Sequence, residues 1–176
     1  STHAGSSPYV AFATTTASAY GFTGLLPNAW YYGFVSTMSA VDYTASGAGV
    51  TLPVAPSSAV FTSVAYSSAA LGWDGGINPA GTVYQYEISA SSSFLVVASS
   101  ASGTAAGGWL TGLAQNTTYY GRVRAYNSAG APTANVYTAP ALTLVRLPLG
   151  LPSSLAGSHP GGVSMTWSWK PGAVIN

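Results

Sequence analysis

Thr23-Gly24-Leu25-Leu26-Pro27-Asn28-Ala29-Trp30-Tyr31-Tyr32-Gly33 returns, about 88 residues later, as Thr111-Gly112-Leu113-Ala114-Gln115-Asn116-Thr117-Thr118-Tyr119-Tyr120-Gly121. A period of that size is the length of one small β-sandwich, so the repeat fixes how the rest of the chain is divided. A second pair points the same way. Leu52-Pro53-Val54-Ala55-Pro56-Ser57-Ser58 resembles Leu147-Pro148-Leu149-Gly150-Leu151-Pro152-Ser153-Ser154, and each leads into a strand that ends in tryptophan, at Trp73 and Trp169.

Between these markers the apolar residues alternate. Ala69, Leu71 and Trp73 share one face, as do Tyr84, Tyr86 and Ile88, and Tyr119, Gly121, Val123 and Ala125. Gly75-Gly76-Ile77-Asn78-Pro79 and Asn127-Ser128-Ala129-Gly130 interrupt the runs with turn chemistry, Gly and Asn supplying positive φ and Pro fixing its own. No stretch has convincing helical periodicity. The expected fold class is all-β, a tandem of immunoglobulin-like sandwiches. Residues 53–146 form a complete unit with roughly seven strands, residues 1–52 match the later part of that unit, and residues 147–176 match only its first strands.

Composition limits what the surface can do. Only 4% of the residues are charged, against roughly 25% in ordinary soluble domains, while 12% are aromatic and 48% hydrophobic, too rich for a disordered chain. Lys170, Arg122, Arg124 and Arg146 oppose Asp42, Asp74 and Glu87 for a net charge of +1, which gives no basic stripe for nucleic acid. So little net charge favours self-association. The absence of cysteine excludes disulfides and thiolate metal sites. Every apolar run is punctuated by Ser, Thr, Gly, Asn or Pro before it reaches the length of a membrane span. The opening STHAGSSPYV has no signal-peptide pattern and no initiator Met, from which a longer or trimmed precursor is expected.

Pro56, Trp73, Tyr86-Glu87-Ile88, Leu113 through Tyr119, and Val123-Arg124-Ala125-Tyr126-Asn127 together resemble the fibronectin type III pattern. The resemblance implies that Trp73 packs into the core and that Leu113 and Tyr119, with Leu25 and Tyr31 in the other copy, mark the corner leading into the sixth strand. Trp169 would correspond to Trp73. Gln115 departs from the Pro often found there, which Pro27 retains. The resemblance also implies an extracellular or cell-surface setting and a scaffold for adhesion, spacing or binding, with no particular chemistry. The low charge and the richness in Ala, Ser, Thr and Gly are more similar to secreted microbial surface repeats than to animal matrix modules.

No constellation calls for catalysis, and no cofactor or metal is expected. His3 and His159 lie in Gly-, Ser- and Pro-rich surroundings, no nucleophile elbow is present, and a serine triad with Asp42 or Asp74 has no motif to position it. Asp42, Asp74 and Glu87 read as solvated side chains rather than a glycosidase pair or a calcium site. Asn116-Thr117-Thr118 is a glycosylation sequon. The aromatics are the stronger candidates, because the strand period sends Tyr32 and Tyr120 outward where Tyr31 and Tyr119 point inward, as rings for contact with another chain.

Alone, the terminal pieces cannot bury their apolar residues, Val163, Met165, Trp167 and Trp169 among them. Either the sequence is a window on a longer tandem array, or the last strands of one chain complete the first sandwich of the next, although a piece equivalent to Tyr84–Ile88 is missing from that join. The expected role is that of a structural subunit of an extracellular filament, sheath or surface layer. The alternative is a carbohydrate-binding or spacer module of a secreted enzyme or adhesin, with polysaccharide or a cell surface as partner.

Overall fold

The computed structural model describes residues 13–37, 44–146, 153–161 and 164–170. Among them every regular element is a strand: β1 Trp30–Val35, β2 Thr44–Val50, β3 Ser57–Val64, β4 Ser68–Asp74, β5 Val83–Ser89, β6 Ser99–Gly103, β7 Gly107–Thr111, β8 Thr118–Tyr126, β9 Val136–Tyr137, β10 Ala141–Leu142, β11 Ser153–Gly161 and β12 Ser164–Lys170. β3, β4 and β7 form one antiparallel sheet in the order β3-β4-β7, and β10-β8-β5-β6 form a second. β9 also pairs with β8, on Arg122 and Val123, while β10 pairs on Thr118 and Tyr119. They are two lengths of one final strand, interrupted at Thr138-Ala139-Pro140 where Pro140 has no N–H to give the ladder. β1 with β2, and β11 with β12, are separate two-stranded hairpins.

The two sheets face each other across the side chains that alternation brings to one face. Ala69, Leu71 and Trp73 of β4 and Leu110 of β7 meet Tyr84, Tyr86 and Ile88 of β5 and Tyr119, Val123 and Ala125 of β8. Each large apolar side chain taken out of water there contributes about 1.5–3 kcal/mol. Trp73 lies tilted against Tyr84 and Tyr86, with ring centroids 5.5 Å and 5.2 Å away. Its indole nitrogen is, among the described residues, the one buried side-chain polar atom without a hydrogen-bond partner. Gly121 lets β8 come close to β4, since a Cβ there would stand 2.8 Å from the Leu71 side chain.

The outer face of the second sheet corrects one expectation. Glu87 is buried, not solvated, and accepts from Arg122 Nε at 2.6 Å. The loop after β5 explains this: Phe94, buried at a positive φ of 52°, folds over the face, and the Arg122 guanidinium lies 4.4 Å from its ring centre. Beside them Gln85 Oε1 accepts from Arg124 Nε and Nη2 and from the Tyr126 hydroxyl. Asp74 remains exposed at the end of β4, accepting from the Gly76 N–H at 2.8 Å.

Candidate functional site: two tyrosine corners and the joint between units

The repeated segment folds twice into the same corner. Gly24 and Gly112 take φ of 70° and 79°, and Asn28 and Asn116 both take 48°, left-handed values that Gly and Asn tolerate. Between them the chain turns so that the Tyr31 hydroxyl accepts from Leu26 N–H at 2.8 Å, and the Tyr119 hydroxyl accepts from Ala114 N–H at 2.9 Å. Each ring thus closes its own loop with a bond to backbone, which is a structural and not a chemical task.

Each corner is clasped by a threonine that the sequence reading did not single out. Thr143 Oγ1 accepts from Thr117 N–H at 3.0 Å and donates toward the carbonyls of Ala114 and Thr117, at 2.7 Å and 3.1 Å. Thr51 Oγ1 does the same with Ala29 N–H at 3.1 Å and the carbonyls of Leu26 and Ala29, at 2.7 Å and 3.3 Å. The match between the two copies therefore extends to individual atoms.

The first corner is also fastened to the sandwich that follows it. The Asn28 amide nitrogen donates to Thr82 Oγ1 at 3.0 Å, and its oxygen accepts from Ser128 N–H at 2.9 Å. Thr82 is buried and its hydroxyl donates a hydrogen bond to the Pro79 carbonyl at 2.8 Å. Asn127 Nδ2 reaches the Thr51 carbonyl at 3.4 Å. Asn78 clamps the connecting segment from the side, accepting from Val54 N–H at 2.7 Å and donating to the Val54 carbonyl at 2.8 Å. One asparagine side chain from the first corner and three turns of the sandwich are thereby held in register. The second connection is longer: Leu52 alone separates Thr51 from Pro53, whereas Leu144-Val145-Arg146-Leu147 separate Thr143 from Pro148.

The remaining candidates fall as follows. Trp73, Leu113 and Tyr119 are buried, whereas Leu25 and Tyr31 are half-buried. Tyr32 is 70% exposed, and Tyr120 on the equivalent face is half-buried. Asn116 is exposed. Trp169 lies on β12, but its side chain is outside the described residues, as are all of His3, Asp42 and Val163 and the side chains of Met165 and His159. Among the described residues no cluster of His, Cys, Asp or Glu could hold a metal ion, and no helix is long and apolar enough to cross a membrane.

No family model matches the sequence, and no curated protein matches it. Among solved structures, the chain is similar to the twitchin kinase region from C. elegans at 19% identity and a TM-score of 0.44, over 52% of this chain and 17% of that one. It is also similar to FN3tt, at 23% identity and a TM-score of 0.42 over 52% of this chain and 95% of that one. A further likeness is to the fibronectin type III domain of human fibronectin type III domain containing protein 3, at 24% and 0.40 over 54% of this chain and 91% of that one. The class is carried by the strand order itself: first, second and fifth strands of the sandwich in one sheet, the third, fourth, sixth and final in the other, a fibronectin type III-like arrangement.

Proposed function

We propose that the chain is a structural subunit of an extracellular filament, sheath or surface layer, a repeat of fibronectin type III-like sandwiches that binds no cofactor and catalyses no reaction. The observation that supports this reading most is the joint. Asn28, Thr82, Ser128, Asn78 and Asn127 use neutral hydrogen bonds to hold one unit's corner against the next unit's turns, and a spacer needing only flexibility has no use for such a fit. With 4% charged residues the surface offers little repulsion between copies. Asn116 is the counterpart of Asn28, so on this reading it faces a following unit rather than carrying a glycan. Electron microscopy of material isolated without refolding tests the proposal: filaments or layers are expected, and dispersed short particles would overturn it.

A second reading has one observation in its favour. Trp109 is 56% exposed on the outer face of the three-stranded sheet, beside a shallow depression lined by Thr62, Ala70, Gly72 and Gly107. A flat indole on a neutral surface suits a sugar ring. Retention of the chain on insoluble polysaccharide, lost in Trp109→Ala, would favour the binding-module alternative.

A further inference from the structure

Leu95 is, among the described residues, the most exposed large apolar side chain, at 89%, and its neighbour Val96 is 76% exposed. The loop that carries them, between β5 and β6, is pinned at each step. Ser89 Oγ donates to the Val96 carbonyl at 2.7 Å and accepts from Ser91 N–H at 3.0 Å. Phe94 N–H donates to the Ser91 carbonyl at 3.1 Å, and Ala98 N–H to the Ile88 carbonyl at 2.8 Å. Phe94 is the anchor, buried against the Arg122 guanidinium and edge-on to the Tyr137 ring at 5.7 Å. It holds a left-handed φ of 52°, which a bulky side chain adopts only at a cost. A strained, buried anchor thus presents two aliphatic side chains to water as a fixed knob. Joining β5 to β6 requires no such knob, and the rest of the loop is Ser and Ala.

The same sandwich carries a matching hollow. Where β3 approaches β9 and β10, Val60, Phe61, Val64, Ala139, Pro140 and Ala141 line a depression of about 370 Å³ with no charged residue in its wall. It opens where the final strand is interrupted around Pro140 and where β3 shifts register between Phe61 and Ser63. The exposure of Leu95 shows that the knob does not fill the hollow of its own sandwich. A lipid surface suits the knob poorly. Two aliphatic side chains fall well short of a single acyl chain, which itself binds membranes only marginally, and no charged residue lies between Glu87 and Arg122 to meet a headgroup.

We propose that the Leu95-Val96 tip of one copy docks in the depression lined by Val60, Phe61 and Pro140 of a second copy. This rests on the structural-subunit reading and gives it an assembly contact. Knob and hollow are both apolar and uncharged, every copy carries both, and a chain with 4% charged residues offers little repulsion to a second copy. The pinned loop is already ordered before contact, so docking does not have to order it. Because knob and hollow are different surfaces, the contact is heterologous and propagates into a filament unless the rotation closes a ring. A contact this small is weak when single and gains strength when repeated along an array.

Two variants separate the halves of the contact. Leu95→Ser with Val96→Ser removes the knob, and Ala139→Asp puts a charge in the hollow, with Val60→Asp repeating that block on the β3 side. All four positions are exposed, so the melting of the sandwich is expected to stay where it was. In sedimentation velocity the unaltered chain is expected to form larger species as concentration rises, and each variant alone to need at least about tenfold more protein to do so. A mixture of the knob-less and the hollow-blocked chains retains one knob and one hollow, and is expected to form dimers and stop there. A mixture that stays monomeric, a variant that assembles like the unaltered chain, or an unaltered chain still monomeric at about 1 mM overturns the docking. Native filaments that persist in the knob-less variant sink the docking alone, whereas dimers from the mixture without filaments in native material sink the filament reading and leave the docking standing.

Discussion

Val123 and Val35 stand at the same step of the same hairpin, paired with Val136 and Thr44 in equivalent registers, yet one is 1% exposed and the other 62%. The corners beside them are equally alike in their hydrogen bonds. The difference teaches that turn chemistry and ladder register are set locally, by Gly24 or Gly112, a left-handed asparagine and a tyrosine hydroxyl, whereas burial comes only from an opposing sheet. Two strands alone are marginal in water. The sandwich has its core; among the described residues the first hairpin has the pattern without the cover.

The sharpest way to break this contrast is in the core. Ile88, fully buried, is expected to cost about 2–5 kcal/mol as Ile88→Ala, read as a large drop in the melting midpoint. Val35→Ala is expected to stay within about 0.5 kcal/mol in the same measurement, and comparable losses for both would mean that the hairpin is as covered as the sandwich. The threonine clasps come next. Thr143→Val leaves the half-buried Thr117 N–H without its acceptor, a loss of about 1–3 kcal/mol in denaturant unfolding. Thr51→Val should leave that transition nearly unmoved and instead speed amide exchange at Ala29. The smallest effect belongs to the tyrosines. Tyr119→Phe removes one bond to a loop N–H, about 1 kcal/mol, and Tyr31→Phe should register as local fraying rather than lost global stability.

Alternation at Ala69, Leu71 and Trp73, together with the repeat of Thr23–Gly33 at Thr111–Gly121, made the all-β sandwich legible, because strand period and turn residues are local signals. Three features were not legible. Thr51 and Thr143 are two threonines among many in a chain of this composition, and only the fold brings each against a corner. Glu87 lies on the outward face by period, and its burial depends on Phe94 folding back over the sheet from a loop that has no periodic pattern. The joint brings Asn28 to Thr82 and Ser128, partners distant in sequence with no spacing rule between them. Pairwise contacts between units depend on how the units dock, which the pattern of either unit alone does not contain.

That joint is the centre of the structural account, and a distance measurement across it is the most direct test. Nitroxide labels at Tyr32→Cys on the first hairpin and Ser100→Cys on the sandwich, both exposed sites in a cysteine-free chain, are read by pulsed electron resonance with and without Asn28→Ala. The account predicts one narrow distance distribution that broadens when the Asn28 amide is removed. A distribution already broad with Asn28 in place, and unchanged by its loss, would contradict a joint that holds the first hairpin in register with the sandwich.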